Sequence, residues 1–248
     1  MTVVSEPAFD ATLRGGVSLH DLVDEEGGHI SRRIYADPEI YELELDRIFR
    51  RAWGFLGHES EIPNPGDYVC RNLAGESVVL IRDEDGEIRA FLNSCRHRGM
   101  RVCRADRDNV RFMRCIYHGW TYSTKGELLQ AFAEELYDED LLDKCKLGLI
   151  PVAQLDSYRG MIFATWDEDV PPLREYLGNM AFYLDLYLGR TDGGTEVLGA
   201  PQVWEVRTNW KFGIDNFTGD NFHLYTAHGS VVQLGMLPPD PMALAHGH

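Results

Sequence analysis

The first clear pattern of apolar positions along the chain is helical. Asp37, Pro38 and Glu39 follow the order of capping residue, first-turn proline and acidic residue that opens many helices. Apolar side chains then recur at helical spacing, at Tyr41, Leu45, Ile48, Phe49, Ala52 and Trp53. The pattern predicts a helix that begins near residue 38.

From residue 67 onward the pattern becomes that of strands. Short runs rich in β-branched and aromatic residues lie at 68–73, 77–82, 87–92, 110–116, 120–123 and 159–166. Turn signals at Asp85-Gly86 and Lys125-Gly126 separate some of them. We therefore predict one small all-β domain over residues 38–160, interrupted by a solvated acidic stretch at 134–143.

The pattern changes again after Pro171-Pro172, which marks a break. The elements predicted beyond it are a helix at 173–188, a Gly-rich turn at 193–194, strands at 195–198 and 202–207, and a helix at 210–229. This second part mixes helices and strands, so the chain as a whole is predicted to be α+β.

Composition and charge exclude several classes of protein. The 248 residues are 44% hydrophobic and 11% aromatic, which is enough for a real core. A formal net charge of −16 excludes nucleic acid as a main partner and argues against an anionic membrane. No apolar run is long enough to span a bilayer, and residues 1–16 contain no apolar signal core. We therefore expect a cytoplasmic protein.

The spacing of cysteines and histidines gives the first candidate chemistry. Five cysteines in a chain without an export signal favour metal ligation or burial over disulfides. Cys95 and His97 form one Cys-x-His pair, and Cys115 and His118 form one Cys-x-x-His pair. Two cysteines and two histidines would also suit a tetrahedral zinc. However, a common zinc finger draws a pair of one kind from each element, whereas here each loop offers one of each. This distribution is expected if one iron takes both thiolates and another takes both imidazoles.

The other three cysteines have no such spacing. Cys70, Cys103 and Cys145 are expected to be inert, buried neighbours, because a free cysteine usually behaves as a small buried apolar residue.

Asp220, His223 and His228 form a second constellation. On a helix, Asp220 and His223 would lie one turn apart on one face. His228 would be turned aside, so we expect a local distortion or a widened turn to bring it back. Two imidazoles and a carboxylate suggest a facial triad for ferrous iron, and from spacing alone Asp220 would be the third ligand.

The segments Cys95-Arg96-His97-Arg98-Gly99 and Cys115-Ile116-Tyr117-His118-Gly119-Trp120 resemble the Rieske motifs of aromatic-ring-hydroxylating oxygenases, and the resemblance covers essentially the whole chain. It is nearer to the biphenyl, phenylpropionate and naphthalene group of large (α) subunits than to the phthalate type. It implies that residues 38–160 form an all-β Rieske [2Fe-2S] domain. Residues 161–248 would begin an α+β catalytic domain with an antiparallel sheet, incomplete in this chain, on which residues 1–37 would pack.

The resemblance also implies roles for individual residues. Its cluster ligands are Cys95, His97, Cys115 and His118, and its ligands of a mononuclear Fe(II) are His223 and His228. Asp220 is then similar to a bridge between an iron-ligating histidine and a Rieske histidine of the adjacent subunit, and the carboxylate ligand comes from much farther along the chain. Asn216, Phe217 and Leu224 resemble residues that line the substrate pocket, although Phe217 and Leu224 could equally be core.

The activity implied is that of a terminal oxygenase component in aromatic hydrocarbon catabolism. Electrons from NADH would reach the cluster through a reductase and usually a ferredoxin, and both atoms of O2 would be added to an aromatic ring as a cis-dihydrodiol. A small β subunit and an α3β3 assembly are implied as well. Members of the family run to nearly twice this length, so we expect the isolated chain to bind the cluster but to hydroxylate poorly.

Two other functions remain as alternatives. One is a Rieske protein that only transfers electrons, against which the set Asp220, His223 and His228 argues. The other is a structural zinc module, which fits the identity of the four cluster residues but not their distribution between the loops.

Overall fold

The computed structural model describes residues 12–138, 142–220 and 223–236. These residues divide into two compact units. One unit takes the described residues up to Ile40 and those from Gln202 onward, and the other is Tyr41–Pro201. No helix in the described part of the chain is both long and apolar enough to cross a membrane.

Short elements make up the beginning of the chain. Strands β1 (Thr12–Leu13) and β2 (Val17–Ser18) pair antiparallel, as do β3 (Val23–Asp24) and β4 (His29–Ile30), with a 3-10 turn at His20–Leu22 between the pairs. Helix α1 (Arg33–Ala36) follows. Helix α2 (Pro38–Glu44) then begins at the predicted proline and continues as a π-helical turn, Leu45–Phe49.

Antiparallel strands dominate the unit Tyr41–Pro201. They are β5 (Gly54–His58), β6 (Asp67–Leu73), β7 (Glu76–Arg82), β8 (Ile88–Leu92), β9 (Arg107–Asn109), β10 (Met113–Arg114), β11 (Thr121–Tyr122), β12 (Leu128–Gln130), β13 (Gln154–Tyr158) and β14 (Met161–Thr165). They form three sheets, with strand orders β8-β7-β6-β9, β10-β11-β12 and β13-β14-β5. Short 3-10 turns lie at Glu59–Glu61 and Glu134–Leu136.

Strand β7 separates two apolar cores. Four successive residues of this strand, Val78, Val79, Leu80 and Ile81, are completely buried. Val79 and Ile81 pack in the core that contains both candidate cluster cysteines, whereas Val78 and Leu80 pack in the core beneath the β13-β14-β5 sheet. Burial on both faces explains why this strand is a continuous apolar run instead of an alternating one.

The predicted strands 68–73, 77–82 and 87–92 are confirmed as β6, β7 and β8. The predicted run 159–166 starts later, at Met161, because Arg159 and Gly160 have left-handed φ values of 53° and 85° and form the turn from β13. The predicted strand 110–116 is reduced to β10, since Val110 donates its N–H to Gly66 and not to a regular ladder. The sequence analysis missed β5, β9, β12 and β13, and also the short strands β1 to β4.

The region after β14 departs most from the predictions. The predicted helix 173–188 is split into α3 (Leu173–Leu177) and α4 (Met180–Leu188), because Gly178 has a left-handed φ of 48°. The predicted strands 195–198 and 202–207 are wrong: neither segment pairs with another strand among the described residues. Alternating apolar residues do not make a strand without a neighbour to complete its backbone hydrogen bonds.

The predicted boundary after residue 160 also differs from the observed division. Strand β14 pairs with β13 and with β5, so the residues from 161 up to Pro201 belong with the β unit.

The last described part of the chain is a series of short helical turns instead of one helix. It comprises α5 (Trp210–Ile214), a π-helical turn (Asp215–Gly219), α6 (His223–Thr226) and α7 (Gly229–Gln233). Asn209 caps α5, where its side-chain oxygen accepts the Lys211 N–H at 3.0 Å. The Pro-rich segment 238–241 lies outside the described residues.

Candidate metal centres

Two tight loops hold the four candidate cluster ligands, and the same hydrogen-bond pattern closes both. The N–H of Gly99 donates to the carbonyl of Cys95 at 2.8 Å, and the N–H of Gly119 donates to the carbonyl of Cys115 at 2.9 Å. The N–H of Cys115 also donates to the carbonyl of Trp120 at 2.8 Å. Gly99 and Gly119 have φ values of 73° and 71°, which glycine adopts without the strain an L side chain would bring.

The loops place the thiols inward and the imidazoles nearer the surface. Cys95 and Cys115 are 3% and 1% exposed and are buried in the same core. His97 and His118 are half-buried, and their Nδ1 atoms face each other at 3.1 Å. Two nitrogens on one tetrahedral metal with bonds of about 2.1 Å would lie about 3.4 Å apart. The imidazoles therefore have close to the spacing that a shared metal requires.

The protonation of these groups follows from their surroundings. Burial, with smaller contributions from His118 and Arg98, lowers the pKa of His97, which favours the neutral imidazole that a metal binds. Burial raises the pKa of the Cys95 thiol, and the hydrogen bond with Tyr122 opposes this shift. A metal must therefore displace the thiol proton when it binds.

Tyr122, to which the sequence analysis gave no role, contacts the first loop directly. Its hydroxyl oxygen lies 3.3 Å from the sulfur of Cys95 and accepts the backbone N–H of Arg96 at 3.0 Å. Because a backbone N–H can only donate, the hydroxyl proton of Tyr122 remains available to the sulfur. Tyr122 is completely buried on β11. In the sequence, only the position of Tyr122 two residues after Trp120 could have indicated its role beside the cluster loops.

A second aromatic residue covers one of the imidazoles. The indole of Trp120 stacks on the ring of His97, with centroids 5.1 Å apart and planes 8° from parallel. Trp120 was part of the quoted motif, but the sequence gave it no function.

Asn93 holds the first loop in place from beneath. Its side-chain oxygen accepts the N–H groups of Val102 and Cys103 at 3.0 and 2.9 Å, and its amide donates to the carbonyl of Cys103 at 2.7 Å. Burial raises the pKa of Cys103 to about 12 and that of Cys70 to about 11, in keeping with unreactive thiols. Cys145, in contrast, is exposed, so the expectation that it is buried is wrong.

The arrangement of donors distinguishes a cluster from a single ion. Among the described residues, no three His, Cys, Asp or Glu side chains are grouped so that they could hold one metal ion. The four loop residues instead form a pair of thiols and a pair of imidazoles. In a Rieske [2Fe-2S] centre each iron takes only two protein ligands, because inorganic sulfide supplies the others. The residues present fit such a cluster.

The second candidate site lies in the other unit and is organised differently from the prediction. Asp220 is not on a helical face: its φ and ψ are −102° and 80°, and its carboxylate accepts the N–H of His223 at 3.1 Å. This hydrogen bond ties Asp220 to the first residue of α6. The expectation that Asp220 and His223 share one helical face is therefore wrong.

The two histidines of this site do come together. His223 and His228 have ring centroids 5.4 Å apart with planes at 71°, because His228 precedes α7 with non-helical φ and ψ of −115° and 29°. The predicted distortion between the two histidines is therefore the break between α6 and α7, whereas the π-helical turn at Asp215–Gly219 precedes both of them. The Nδ1 of His223 lies 2.5 Å from the backbone oxygen of Asp220. A proton shared there leaves Nε2 with a free lone pair for a metal.

The candidate pocket residues lie beside these histidines in the chain. Asn216 and Phe217 are in the π-helical turn and exposed, and Phe217 is 86% exposed, so it is not a core residue. Leu224 is half-buried on α6. The sequence analysis missed Tyr35, whose hydroxyl donates to Asp215 at 2.7 Å and anchors the turn.

Comparisons with known proteins agree with this geometry. Residues 52–137 match the Rieske [2Fe-2S] domain family. The biphenyl dioxygenase subunit alpha of Metapseudomonas furukawaii is 42% identical over 92% of this chain and 51% of its own length. The benzene 1,2-dioxygenase subunit alpha of Pseudomonas putida is 43% identical over 92% of this chain and 50% of its own. In structure, the naphthalene 1,2-dioxygenase from Rhodococcus sp. bound to indole matches with a TM-score of 0.78 and 48% identity, over 86% of this chain and 48% of that one.

The β unit with its two Cys/His loops therefore contains a Rieske [2Fe-2S] domain. More particularly, the chain is similar in sequence and structure to α subunits of aromatic-ring-hydroxylating dioxygenases. The expected fold class, an all-β Rieske domain followed by part of an α+β catalytic domain, is confirmed by these matches. The chain spans about half the length of the curated relatives it matches.

Proposed function

We propose that this chain provides the electron-accepting part of an aromatic-ring dioxygenase α subunit, with a [2Fe-2S] cluster held by Cys95, His97, Cys115 and His118. The observation that carries the proposal is the pair of Nδ1 atoms facing each other at 3.1 Å, together with two thiols buried in one core. When bound, a Rieske cluster accepts and passes on single electrons at a potential raised by its two imidazole ligands.

The protein around the loops controls access to this centre. The thiols are buried in the core below β7, whereas the imidazoles are half-buried and neighbour the exposed Ile116 and Tyr117. Electrons would therefore enter and leave on the imidazole side, where a partner can approach.

The charge of the segment that carries the loops suggests the kind of partner. Its exposed arginines are Arg96, Arg98, Arg101, Arg104, Arg107, Arg111 and Arg114, against two exposed carboxylates, Asp106 and Asp108. In a chain with a net charge of −16, this segment is unusually basic. An acidic ferredoxin or reductase that delivers electrons from NADH would be attracted to it.

We further propose that His223 and His228 are two ligands of a mononuclear Fe(II). Two observations support this. The two imidazole rings lie close together, and the hydrogen bond at the Nδ1 of His223 leaves its Nε2 able to bind a metal. Iron held by two histidines and one carboxylate keeps open positions for O2 chemistry. Asp220 would act as the bridge to a Rieske histidine of a neighbouring subunit, and Asn216, Phe217 and Leu224 would border the substrate.

The activity proposed for the whole protein is cis-dihydroxylation of an aromatic hydrocarbon in the cytoplasm, within an assembly of α and small β subunits such as α3β3. The relatives named above act on biphenyl, benzene and naphthalene, which makes unsubstituted aromatic rings the first substrates to try.

A chimeric α subunit tests this activity. Residues of this chain replace the matching half of the Metapseudomonas furukawaii biphenyl dioxygenase α subunit, and the chimera is supplied with its β subunit, ferredoxin, reductase, NADH and 18O2. A cis-diol that contains two 18O atoms is expected. A chimera that binds both the cluster and iron but forms no diol would contradict the oxygenase proposal and would favour the alternative of electron transfer alone.

A further inference from the structure

The indole N–H of Trp120 has no hydrogen-bond partner although it is completely buried. Trp120 is 3% exposed, and its Nε1 is one of two buried side-chain nitrogens without a partner in the described part of the chain. The other belongs to His58 on β5, in a sheet that holds no candidate ligand. Buried N–H groups are almost always paired, so an unpaired one points to an acceptor that the protein chain itself does not supply.

The position of the indole indicates what this acceptor is. Trp120 shares a core with two of the proposed cluster ligands, Cys95 and Cys115, and stacks on a third, His97. The N–H lies in the plane of the indole, which is nearly parallel to the imidazole, so it is not directed at the face of His97. The other neighbouring ring, Tyr137, is 6.5 Å away and would be a weak acceptor at best.

We propose that the Trp120 N–H donates a hydrogen bond to a sulfur of the [2Fe-2S] cluster and thereby raises its reduction potential. This inference rests on the proposed cluster ligands. Reduction adds negative charge to the sulfurs, so a donor stabilises the reduced cluster more than the oxidised one. Trp120 is thus a tuning residue, distinct from Tyr122, whose hydroxyl contacts Cys95 from β11.

Two substitutions at Trp120 separate the N–H from the stacking ring. Trp120→Phe removes both the N–H and the second ring, whereas benzothienylalanine at position 120 keeps the shape of the indole but replaces its N–H with sulfur. Both variants are purified with the cluster in the full chain and titrated against redox dyes. We expect each to lower the equilibrium constant for reduction about threefold or more, which is about 28 mV for a one-electron couple.

A different tryptophan provides the matched control. Trp166 has an N–H that donates to the Leu73 carbonyl at 3.2 Å, so Trp166→Phe should leave the potential unchanged. A second readout is electron-nuclear double resonance of the reduced protein in H2O and D2O, in which both Trp120 variants should lack one exchangeable proton that is coupled to the cluster.

The outcomes separate this inference from the proposed function. A benzothienylalanine variant with the wild-type potential and the wild-type proton coupling would overturn the hydrogen bond, even if Trp120→Phe lowers the potential or fails to fold. Wild-type chain that assembles no iron and sulfide would instead contradict the proposed ligands themselves.

Discussion

The two candidate metal centres of this chain are built in contrasting ways. The cluster loops belong to a β unit, bury both cysteines and close each turn with internal backbone hydrogen bonds. Asp220, His223 and His228 lie among short helical turns, and His228 and the Asp220 carboxylate are exposed. Its two imidazoles approach each other, but no third ligand joins them within the described residues.

This difference follows from what each metal centre demands. A [2Fe-2S] cluster brings its own sulfides, so two short loops complete its coordination. An iron that must keep positions open for O2 still needs a third protein ligand to fix it. The first site can therefore be assembled by one stretch of sequence, whereas the second depends on contacts from elsewhere.

The largest effect is expected when the cluster site, which the two Cys/His loops complete by themselves, loses one of its ligands. Cys115→Ala should abolish the cluster, with iron, sulfide and the electron paramagnetic resonance signal of the reduced protein all lost, because it removes one of the two protein ligands of that iron. Cys145→Ala, which removes an exposed cysteine, should keep all three. A Cys115→Ala protein that retained the signal would remove Cys115 from the ligand set.

The second site should respond independently of the first. Anaerobic titration of the cluster-loaded chain with Fe(II) should show one further site, and His223→Ala should weaken it by about 100-fold or more, since even partners of metal ligands contribute about 10- to 100-fold. The cluster signal should not change. His20→Ala, which removes an exposed histidine of the same unit, is the control. Equal iron binding by both variants would show that His223 is not a ligand.

The stability of the β unit that contains the cluster loops should decrease measurably at acid pH. Asp83 is completely buried, and although burial raises its pKa, hydrogen bonds from Arg89 and from the N–H groups of Asp85 and Glu87 outweigh it and lower the pKa overall. Because the pKa of Asp83 is lower in the folded state than in the unfolded state, its ionised carboxylate stabilises the fold fully above about pH 4, the pKa of an unfolded aspartate. This stabilisation is lost as the pH falls through the pKa of Asp83 in the folded state.

Asp83→Asn should therefore destabilise the unit by about 2 kcal/mol at pH 7. This is less than the destabilisation expected when a fully buried ion pair is broken, because Arg89 is 40% exposed. Urea unfolding at pH 7 and at pH 3 would show a smaller pH dependence in this variant than in the wild type. Asp46→Asn, at an exposed ion pair, should behave as the wild type. An unchanged pH dependence in Asp83→Asn would exclude this carboxylate as the source.

The smallest effect concerns the hydroxyl beside Cys95. Tyr122→Phe should lower the equilibrium constant for reduction of the cluster about threefold to tenfold, because one hydrogen bond to the thiolate is lost. Redox titration measures the change, and Tyr158→Phe, which alters a hydroxyl bonded to Asp185, is the control. A rise in potential would contradict the assigned direction of the Tyr122 hydrogen bond.

The sequence predicted what depends on local pattern and failed where tertiary contacts decide. Strands β6, β7 and β8 were correctly predicted because their apolar runs and turns are local. The strands at 195–198 and 202–207 were not found, since an apolar pattern cannot supply a pairing partner.

The sites follow the same rule. The four loop residues could be chosen from spacing, but the contacts of Tyr122 with Cys95 and of Trp120 with His97 exist only after β11 has packed. Similarly, Asp220 accepts the backbone N–H of His223 instead of sharing a helical face with it, because the backbone of Asp220 leaves the helical region.

The most direct test of the central claim is the amount of iron and acid-labile sulfide per chain in protein purified without oxygen. The account predicts about two sulfides, with about two irons for the cluster alone or about three when His223 and His228 also hold iron. A colourless protein with about one zinc and no sulfide per chain would contradict it, because the four loop residues would then hold a single structural ion.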